Sequence, residues 1–266
     1  MYGWFRSSAP LWLAVTLLAQ DGAKPKPASP ARAEYEKLVA EYDTAVASYA
    51  KAMKELAATD EFKQAVTDKN REKIAELNKQ VARPDMAGLG KKAMAAAEKY
   101  AGKEDAVPFL GFALTKSNDK ELAKQAADAL LASHTKSPKL VEVVENSLVQ
   151  PLGKDKANEF YDKVAADNSN SMVQAWSLYW KASSMSRGRD VSDEDKAEAK
   201  KLLDKAEQLA EGHELADRIR APRFAEERLK VGMEVPDIAG VDLDGKAFKL
   251  SDYRGKVVVV DFWGDW

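Results

Sequence analysis

The chain has 266 residues, of which 45% are hydrophobic and 32% are charged, and its formal net charge is −2. This length allows one or two domains, and the composition fits a soluble, helix-rich protein. The nearly balanced charge excludes the clustered basic excess that nucleic-acid binding requires, so we expect no nucleic-acid partner. The chain contains no cysteine.

The first segment, residues 1–20, has the organisation of a secretory signal peptide. Arg6 supplies the positive charge, Ala9–Leu18 forms an apolar run, and Leu17–Ala19 is a small-residue cleavage end. The run is short for a transmembrane helix, and no cysteine follows it that would carry a lipid anchor. We therefore predict an exported, periplasmic or otherwise extracytoplasmic protein with no stable membrane anchor. An uncleaved anchor and a short apolar helix are the alternatives.

A flexible linker rich in alanine, lysine and proline is predicted at 21–32. The next segment, Ala33–Leu56, keeps a seven-residue apolar spacing that predicts one long helix. Two rows of side chains carry this spacing: Tyr35, Tyr42, Tyr49 and Leu56 in one, and Leu38, Ala45 and Ala52 in the other. The stripe fits a dimer seam or packing on a second helix at Phe62–Val81. About three heptads favour the second interpretation.

The region 33–229 is predicted to be one helical domain. After Pro84, short amphipathic patterns separated by glycine, proline and asparagine predict eight further helices. They are Leu89–Tyr100, Ala106–Thr115, Lys120–Ser133, Pro138–Val149, Asp155–Asp167, Ser171–Ser186, Ser192–Ala210 and Ala216–Leu229.

Two of these helix pairs are related by a common offset. Leu131-Ala132 corresponds to Val164-Ala165, and Leu140 corresponds to Val173, at a spacing near the tetratricopeptide period of about 34 residues. A stacked array of this kind would form a groove for a peptide or protein partner. A plain helical bundle without a ligand is the equal alternative.

Several residues of the helical region have a structural and a functional interpretation. Trp176 and Trp180 share one helix face with an i, i+4 spacing, which favours core packing over a peptide-binding wall. His134 and His213 are the only histidines and lie near helix ends, so we expect exposed caps and no metal site. Residues 240–246 match the spacing of a phosphate-binding loop but lack the following Ser or Thr.

The last part of the chain changes from helical to strand patterns. Asp244-Gly245 stands between the short apolar runs Ile238–Val241 and Ala247–Leu250, which predicts a hairpin. Ser251–Gly255 can form a single helical turn that ends at glycine. The valine-rich run Val257–Phe262 then predicts a buried central strand.

These residues resemble the opening of a thioredoxin-fold domain of the redoxin and alkyl-hydroperoxide-reductase/thiol-specific-antioxidant group. The matching pieces are Val231-Gly232 with Pro236-Asp237, Asp242–Lys246, Leu250–Lys256 and Val257–Trp266. In this family, the phrase Phe-Trp-x-x-Trp runs directly into Cys-x-x-Cys, whereas here it is the last phrase of the sequence. We therefore interpret 230–266 as an incomplete thioredoxin-like domain, cut just before its cysteines. A homologue that has lost its cysteines is the alternative.

The resemblance implies a mainly α protein, in which a helical array precedes the first hairpin and strand of an incomplete thioredoxin-fold domain. It implies that Asp261 is a buried carboxylate that relays a proton to and from the resolving cysteine. A strand-end residue that faces solvent is the alternative. It also implies that Trp263 and Trp266 flank the thiols and bind the substrate.

The functional expectation is the N-terminal part of an exported thiol–disulfide oxidoreductase. Its partners would be protein thiols and disulfides, and it would need no metal or organic cofactor. As written, the chain would be inactive, because exchange needs a thiolate nucleophile. The alternatives are a peroxiredoxin-type peroxide reductase and a non-enzymatic helical-repeat adaptor with a vestigial second domain.

The signal peptide makes a prediction about the mature N-terminus. When the gene is expressed in a bacterial host that exports it, 1–20 should be removed, because the charge of Arg6 and the apolar run after it direct export. Intact-mass measurement of the protein from the extracytoplasmic fraction tests this. Protein that still begins at Met1 and stays in the cytoplasm would contradict it. An Ala14→Asp variant, which places a charge inside the apolar run, should remain unprocessed.

Overall fold

The computed structural model describes residues 29–187 and 191–261. These residues form two compact units, one from Ser29 to Arg223 and the other from Phe224 to Asp261. They contain twelve α-helices, which are α1 (Pro30–Ala58), α2 (Asp60–Thr67), α3 (Arg71–Lys79), α4 (Met86–Lys99), α5 (Ala106–Lys116), α6 (Lys120–Ser133), α7 (Val141–Val144), α8 (Val149–Leu152), α9 (Lys154–Asp167), α10 (Ser171–Met185), α11 (Asp193–Leu209) and α12 (Glu214–Arg228).

The mainly α class predicted from the sequence is confirmed. Two short strands, β1 (Ala239–Val241) and β2 (Ala247–Lys249), form the sheet of the described part of the chain. None of the helices within 29–187 and 191–261 has the length and apolar character that crossing a membrane requires. The tetratricopeptide-like period of the array stays a prediction.

Helix α5 lies among the helices of the first half of the helical unit, where it packs against α4, α6 and α7. Its sequence AVPFLGFALTK is apolar on nearly every face, and eight of its residues are buried: Ala106, Val107, Phe109, Leu110, Gly111, Phe112, Ala113 and Leu114. A helix that is apolar all round must be covered on all sides. Gly111 permits a close approach of α7, because a Cβ atom there would lie 2.7 Å from the Val143 Cγ2 atom.

The long helix α1 covers one side of α5. Ser29 caps its first turn by accepting a hydrogen bond from the Arg32 amide. Tyr35 packs edge-on against Phe109 with ring centroids 5.4 Å apart, and Tyr42 packs in the same way on Phe112 at 5.6 Å. The first half of the seven-residue stripe therefore packs on α5. We had predicted that the stripe packs on the following helix, Phe62–Val81.

The predicted helix Phe62–Val81 is wrong as a single element, because the chain divides it into α2 and α3. Lys69 adopts a left-handed backbone conformation with φ of 55°. The next residue, Asn70, caps α3 by accepting a hydrogen bond from the Lys73 amide at 3.0 Å. A local Asn cap thus ends one helix and starts another.

The predicted helix Pro138–Val149 is also broken. The segment begins with a 3-10 turn at Pro138–Leu140 and continues as the short helix α7. Residues 145–148, between α7 and α8, are not helical. The buried amide of Leu148 donates to the Tyr161 hydroxyl group at 2.7 Å. This contact comes from α9, so the local sequence pattern does not contain it.

A second long-range contact connects the loop before the 3-10 turn Pro138–Leu140 to the loop before α10. The Asn168 side-chain amide donates to the carbonyl groups of Thr135 and Ser137 at 2.8 and 2.9 Å. Its Oδ1 atom accepts from the Asn170 amide at 2.9 Å. The side chain of Asn168 makes all three hydrogen bonds, and this residue is buried, with 2% of its surface exposed.

The C-terminal unit contains the predicted hairpin. Strands β1 and β2 pair in antiparallel register with Gly240 opposite Phe248, and the Leu250 amide extends the ladder by donating to the Ile238 carbonyl at 2.8 Å. Gly245 in the loop has φ of 77°, which glycine adopts without strain.

The predicted strand Val257–Phe262 is wrong for its described part. Residues 257–261 form no strand, and their side chains are exposed. A central strand needs a neighbour on each edge and a covering layer on each face. Within the C-terminal unit as described, no further strand pairs with this segment.

The Tyr161 contact gives a prediction about stability. Tyr161→Phe should lower the free energy of unfolding by about 1–3 kcal/mol, because the buried Leu148 amide loses its acceptor. Urea denaturation of the full chain followed by circular dichroism measures this. Tyr49→Phe is the matched control, since that hydroxyl group is half-exposed and makes no hydrogen bond among the described residues. Equal changes in the two variants would contradict the assignment.

Candidate functional site

The three residues assigned by resemblance lie at the very end of the sequence. Asp261 is the last described residue, and its side chain is exposed. The resemblance implies a buried carboxylate in a complete domain, whereas no element of the described C-terminal unit covers Asp261, so its assigned role stays a prediction. Trp263 and Trp266 lie outside the described residues. Of the three residues, the structure therefore describes Asp261 alone.

The segment that leads to Asp261 is extended. The exposed fractions of the four valines alternate, with 98% for Val257, 43% for Val258, 88% for Val259 and 49% for Val260. A period of two residues is that of an extended chain with one face outward. The backbone is therefore already near the conformation that a strand requires, although it lacks a pairing partner in the described unit.

The turn that precedes this segment is held by Asp237. Its Oδ1 atom accepts from the Ser251 amide and its Oδ2 atom accepts from the Ser251 hydroxyl group, both at 2.8 Å. These donated hydrogen bonds, the backbone one first, lower the pKa of the Asp237 carboxyl group below its ordinary value. Asp252 adds a similar contact by accepting from the Lys249 amide at 2.8 Å.

The hairpin loop is held by a second carboxylate. The Asp242 Oδ1 atom accepts from the Asp244 amide at 3.0 Å and from the Lys246 amide at 2.8 Å. A phosphate-binding loop presents such amides to its ligand. Because a carboxylate of the same loop already occupies them, the glycine-and-lysine spacing at 240–246 is a hairpin loop and is not a nucleotide site.

The aromatic cluster of α10 belongs to the helical unit. Trp176 is buried and stacks on Trp180 with ring centroids 6.3 Å apart. From α12, the Arg218 guanidinium group lies 5.4 Å over the Trp176 ring. The His213 ring packs edge-on against the same indole at 6.4 Å. This geometry agrees with the core interpretation for Trp176, because α12 covers its ring.

The histidines do not form a metal site in the described residues. His134 is buried as the C-cap of α6, which corrects the expectation of an exposed cap. The His213 Nδ1 atom accepts from the Leu215 amide at 3.2 Å, so this nitrogen is already used in its own turn. Over 29–187 and 191–261, no group of three or more His, Asp or Glu side chains is placed to hold a metal ion.

The sequence analysis missed an open cleft between α6 and α9. Its walls include Lys124, Asp128 and Leu131 on α6, and Lys156 and Glu159 on α9. The sequence signal was the i, i+4, i+7 spacing on α6, which places those three side chains on one helix face. The pattern alone does not show that α9 lies opposite that face.

Comparison with known proteins relates a short stretch of the chain to thiol–disulfide oxidoreductases, and it supports the thioredoxin-like resemblance. The chain is 44% identical over 41 residues to the thiol–disulfide oxidoreductase ResA of Bacillus thuringiensis subsp. konkukian, which is 15% of this chain and 24% of the relative. It is 53% identical over 36 residues to ResA of Geobacillus kaustophilus, or 14% and 21% of the two chains. The ResA protein of Geobacillus thermodenitrificans is 50% identical over 36 residues.

The chain spans about a quarter of the length of these curated relatives, from 21% to 24%. No protein-family model matches the chain. No solved structure matches it either.

The Asp237 contacts predict how the C-terminal unit responds to acid. Because the pKa of this carboxyl group is lowered on folding, its stabilising effect is present above the unfolded value of about 3.9 and is lost as the pH falls through the folded value. In NMR spectra of the full chain, the Ser251 amide signal should titrate with a midpoint below the ordinary pKa of an aspartate side chain.

Asp237→Asn should abolish this titration and increase the hydrogen-exchange rate of the Ser251 amide at neutral pH, because the charged acceptor is removed. Asp244→Asn is the matched control, since only the backbone amide of Asp244 is used in the loop. A Ser251 signal that titrates equally in both variants would contradict the prediction.

Proposed function

We propose that this sequence is the N-terminal part of an exported, thioredoxin-like thiol–disulfide oxidoreductase in which a helical domain precedes the catalytic domain. The observation that carries the proposal is the similarity to ResA over 36–41 residues. The shorter of these matches, 36 residues, equals the length of the thioredoxin-like segment 231–266. The hairpin predicted for that segment is present in the structure. Export rests on Arg6 and the apolar run after it.

The proposed reaction is thiol–disulfide exchange with protein substrates. A thiolate of a cysteine pair that follows Trp266 attacks one sulfur of the substrate disulfide, and the other substrate sulfur leaves as a thiolate. The second cysteine then attacks the mixed disulfide, which releases the reduced substrate and leaves the enzyme oxidised. No metal or organic cofactor takes part in these steps.

Asp261 is proposed to accept the proton of the second, resolving cysteine and to return it in the reverse direction. A carboxylate suits this role when it lies within hydrogen-bond reach of the thiol whose proton it accepts. In the described unit Asp261 is exposed, so the proposal requires further strands to pair with Val257–Val260. Trp263 and Trp266 are proposed to contact the substrate protein beside the thiols.

The name of the relatives favours disulfide exchange over peroxide reduction, because each is a thiol–disulfide oxidoreductase. The helical domain would then bind or position a protein partner. Its length, about 200 residues, exceeds what a linker requires. The alternative is a non-enzymatic adaptor. A full-length protein without exchange activity would favour this alternative.

The first activity prediction concerns the chain as given. It should not accelerate insulin reduction by dithiothreitol above the blank, because it contains no sulfur nucleophile. Joining 231–266 to the cysteine-containing remainder of the Bacillus thuringiensis relative should restore turnover. The same chimera with both cysteines changed to serine is its control. A chimera that folds and binds substrate but does not turn over would reject the proposed reaction.

The second activity prediction concerns Asp261 in the chimera. Asp261→Asn should slow exchange near pH 7 by up to about 100-fold, since the resolving thiol loses its base. The effect should shrink at high pH, where water and hydroxide remove the proton. Asp265→Asn, four residues further along, is the matched control. A pH–rate profile identical to that of the parent chimera would remove Asp261 from the mechanism.

A further inference from the structure

Helix α12 is anchored to the helical unit by its first half. Its buried side chains all lie in that half, at Leu215, Ala216 and Ile219. Every residue from 221 to 228 is exposed. Pro222 lies inside the helix and has no amide proton to donate to the carbonyl group of Arg218. The helix is therefore weakest where its buried half ends.

Two arginines hold α12 on α11 and on the turn that follows α11. The Arg220 guanidinium group lies 2.7 Å from the Glu207 carboxylate and 2.8 Å from that of Glu211. Arg223 lies 3.0 Å from Asp204 and 3.5 Å from Glu207. Both arginines thus share Glu207, whose side chain is the least exposed of the five, at 19%. Because the other four are more open to water, salt screens these ion pairs.

The tryptophan pair that α12 adjoins has two indole N–H groups without an acceptor. The Nε1 atoms of Trp176 and Trp180 are buried and make no hydrogen bond with any described residue. Arg218 of α12 lies over the Trp176 ring and offers only donors. A buried N–H group without a partner is costly, because it has lost its hydrogen bonds with water. Access of water to Trp176 would therefore offset part of the cost of lifting α12.

We propose that α12 is a strap that opens and closes over Trp176 as a local unit while the other helices stay folded. Glu207 holds the strap closed by attracting Arg220 and Arg223. The strap makes the exposure of the aromatic cluster of α10 depend on ionic strength. This inference concerns the helical unit alone and does not depend on the proposed redox reaction.

Native-state hydrogen exchange of the full chain, followed by NMR, measures the opening of individual N–H groups. The amides of residues 218–221 should exchange more readily than the amides of α5, which become accessible when the whole unit unfolds. The indole proton of Trp176 should report the same opening equilibrium as the amides of 218–221, because the same movement brings water to it.

A substitution at the shared acid tests what closes the strap. Glu207→Gln removes the charge with little change of shape. It should accelerate exchange of the 218–221 amides and of the Trp176 indole proton by about threefold to tenfold, which is the effect of two partly exposed ion pairs. Glu198→Gln is the matched control, because Glu198 pairs at 3.4 Å with Lys201 of the same helix α11. The control should leave both rates unchanged.

Salt provides a second test that needs no substitution. Raising the ionic strength from about 0.1 M to about 1 M shortens the Debye length from about 10 Å to about 3 Å. Exchange of the 218–221 amides should therefore accelerate in the parent chain. The acceleration should be smaller in Glu207→Gln, since the charge that both arginines share is already absent.

Tyr161→Phe distinguishes opening of the strap from unfolding of the whole unit. The hydrogen bond between Tyr161 and the Leu148 amide joins α9 to the loop before α8, so it stays intact when only α12 opens. This variant should accelerate exchange of the α5 amides and leave that of 218–221 unchanged.

Three outcomes would overturn the proposal. The 218–221 amides could follow the α5 amides in Tyr161→Phe, which would mean that α12 opens only with the rest of the unit. Glu207→Gln could exchange like the parent chain. The Trp176 indole proton could follow the α5 amides in every variant, which would mean that movement of α12 does not uncover this ring.

Discussion

The need to cover α5 organises the first half of the helical unit. This helix is apolar on almost every face, so water must be excluded from all of them. Tyr35 and Tyr42 of α1 cover one side through edge-on contacts with phenylalanine rings. On another side, Gly111 allows α7 to approach so closely that Val143 takes the space of a side chain. The helices before and after α5 in the chain are therefore arranged as its shell.

The C-terminal unit is stabilised in a different way. It consists of a two-stranded hairpin and a turn, and such an element buries little apolar surface. Its order comes from carboxylates that accept hydrogen bonds from backbone amides. Asp242 and Asp252 each close a local turn, and Asp237 connects the segment before β1 to Ser251 after β2. The apolar side chains of 257–260 remain exposed.

The sequence predicted those parts of the structure that local periodicity determines. Helices α5, α6 and α10 begin and end within one residue of the predicted positions. Their apolar spacing is local, and α6 and α10 are also capped by the residue that precedes each of them, Asp119 and Asn170. One error arose where a distant residue decides the backbone, at Leu148, whose amide donates to the Tyr161 hydroxyl group. The other, the division between α2 and α3, has a local cause, because Asn70 caps α3. Asp261 shows the same limit at the candidate site: its chemistry follows from its identity and resemblance, but its exposure depends on strands that pair beside it.

Asn168 connects two loops that are more than thirty residues apart in the chain, through both protons of one amide. Neither loop can open without breaking a hydrogen bond of this buried group, so the connections before α7 and before α10 are thermodynamically linked and belong to one cooperative opening unit. A carboxylate of the same shape would supply no donor, and two carbonyl groups would then face it. The chemistry of a single side chain thereby joins these two loops.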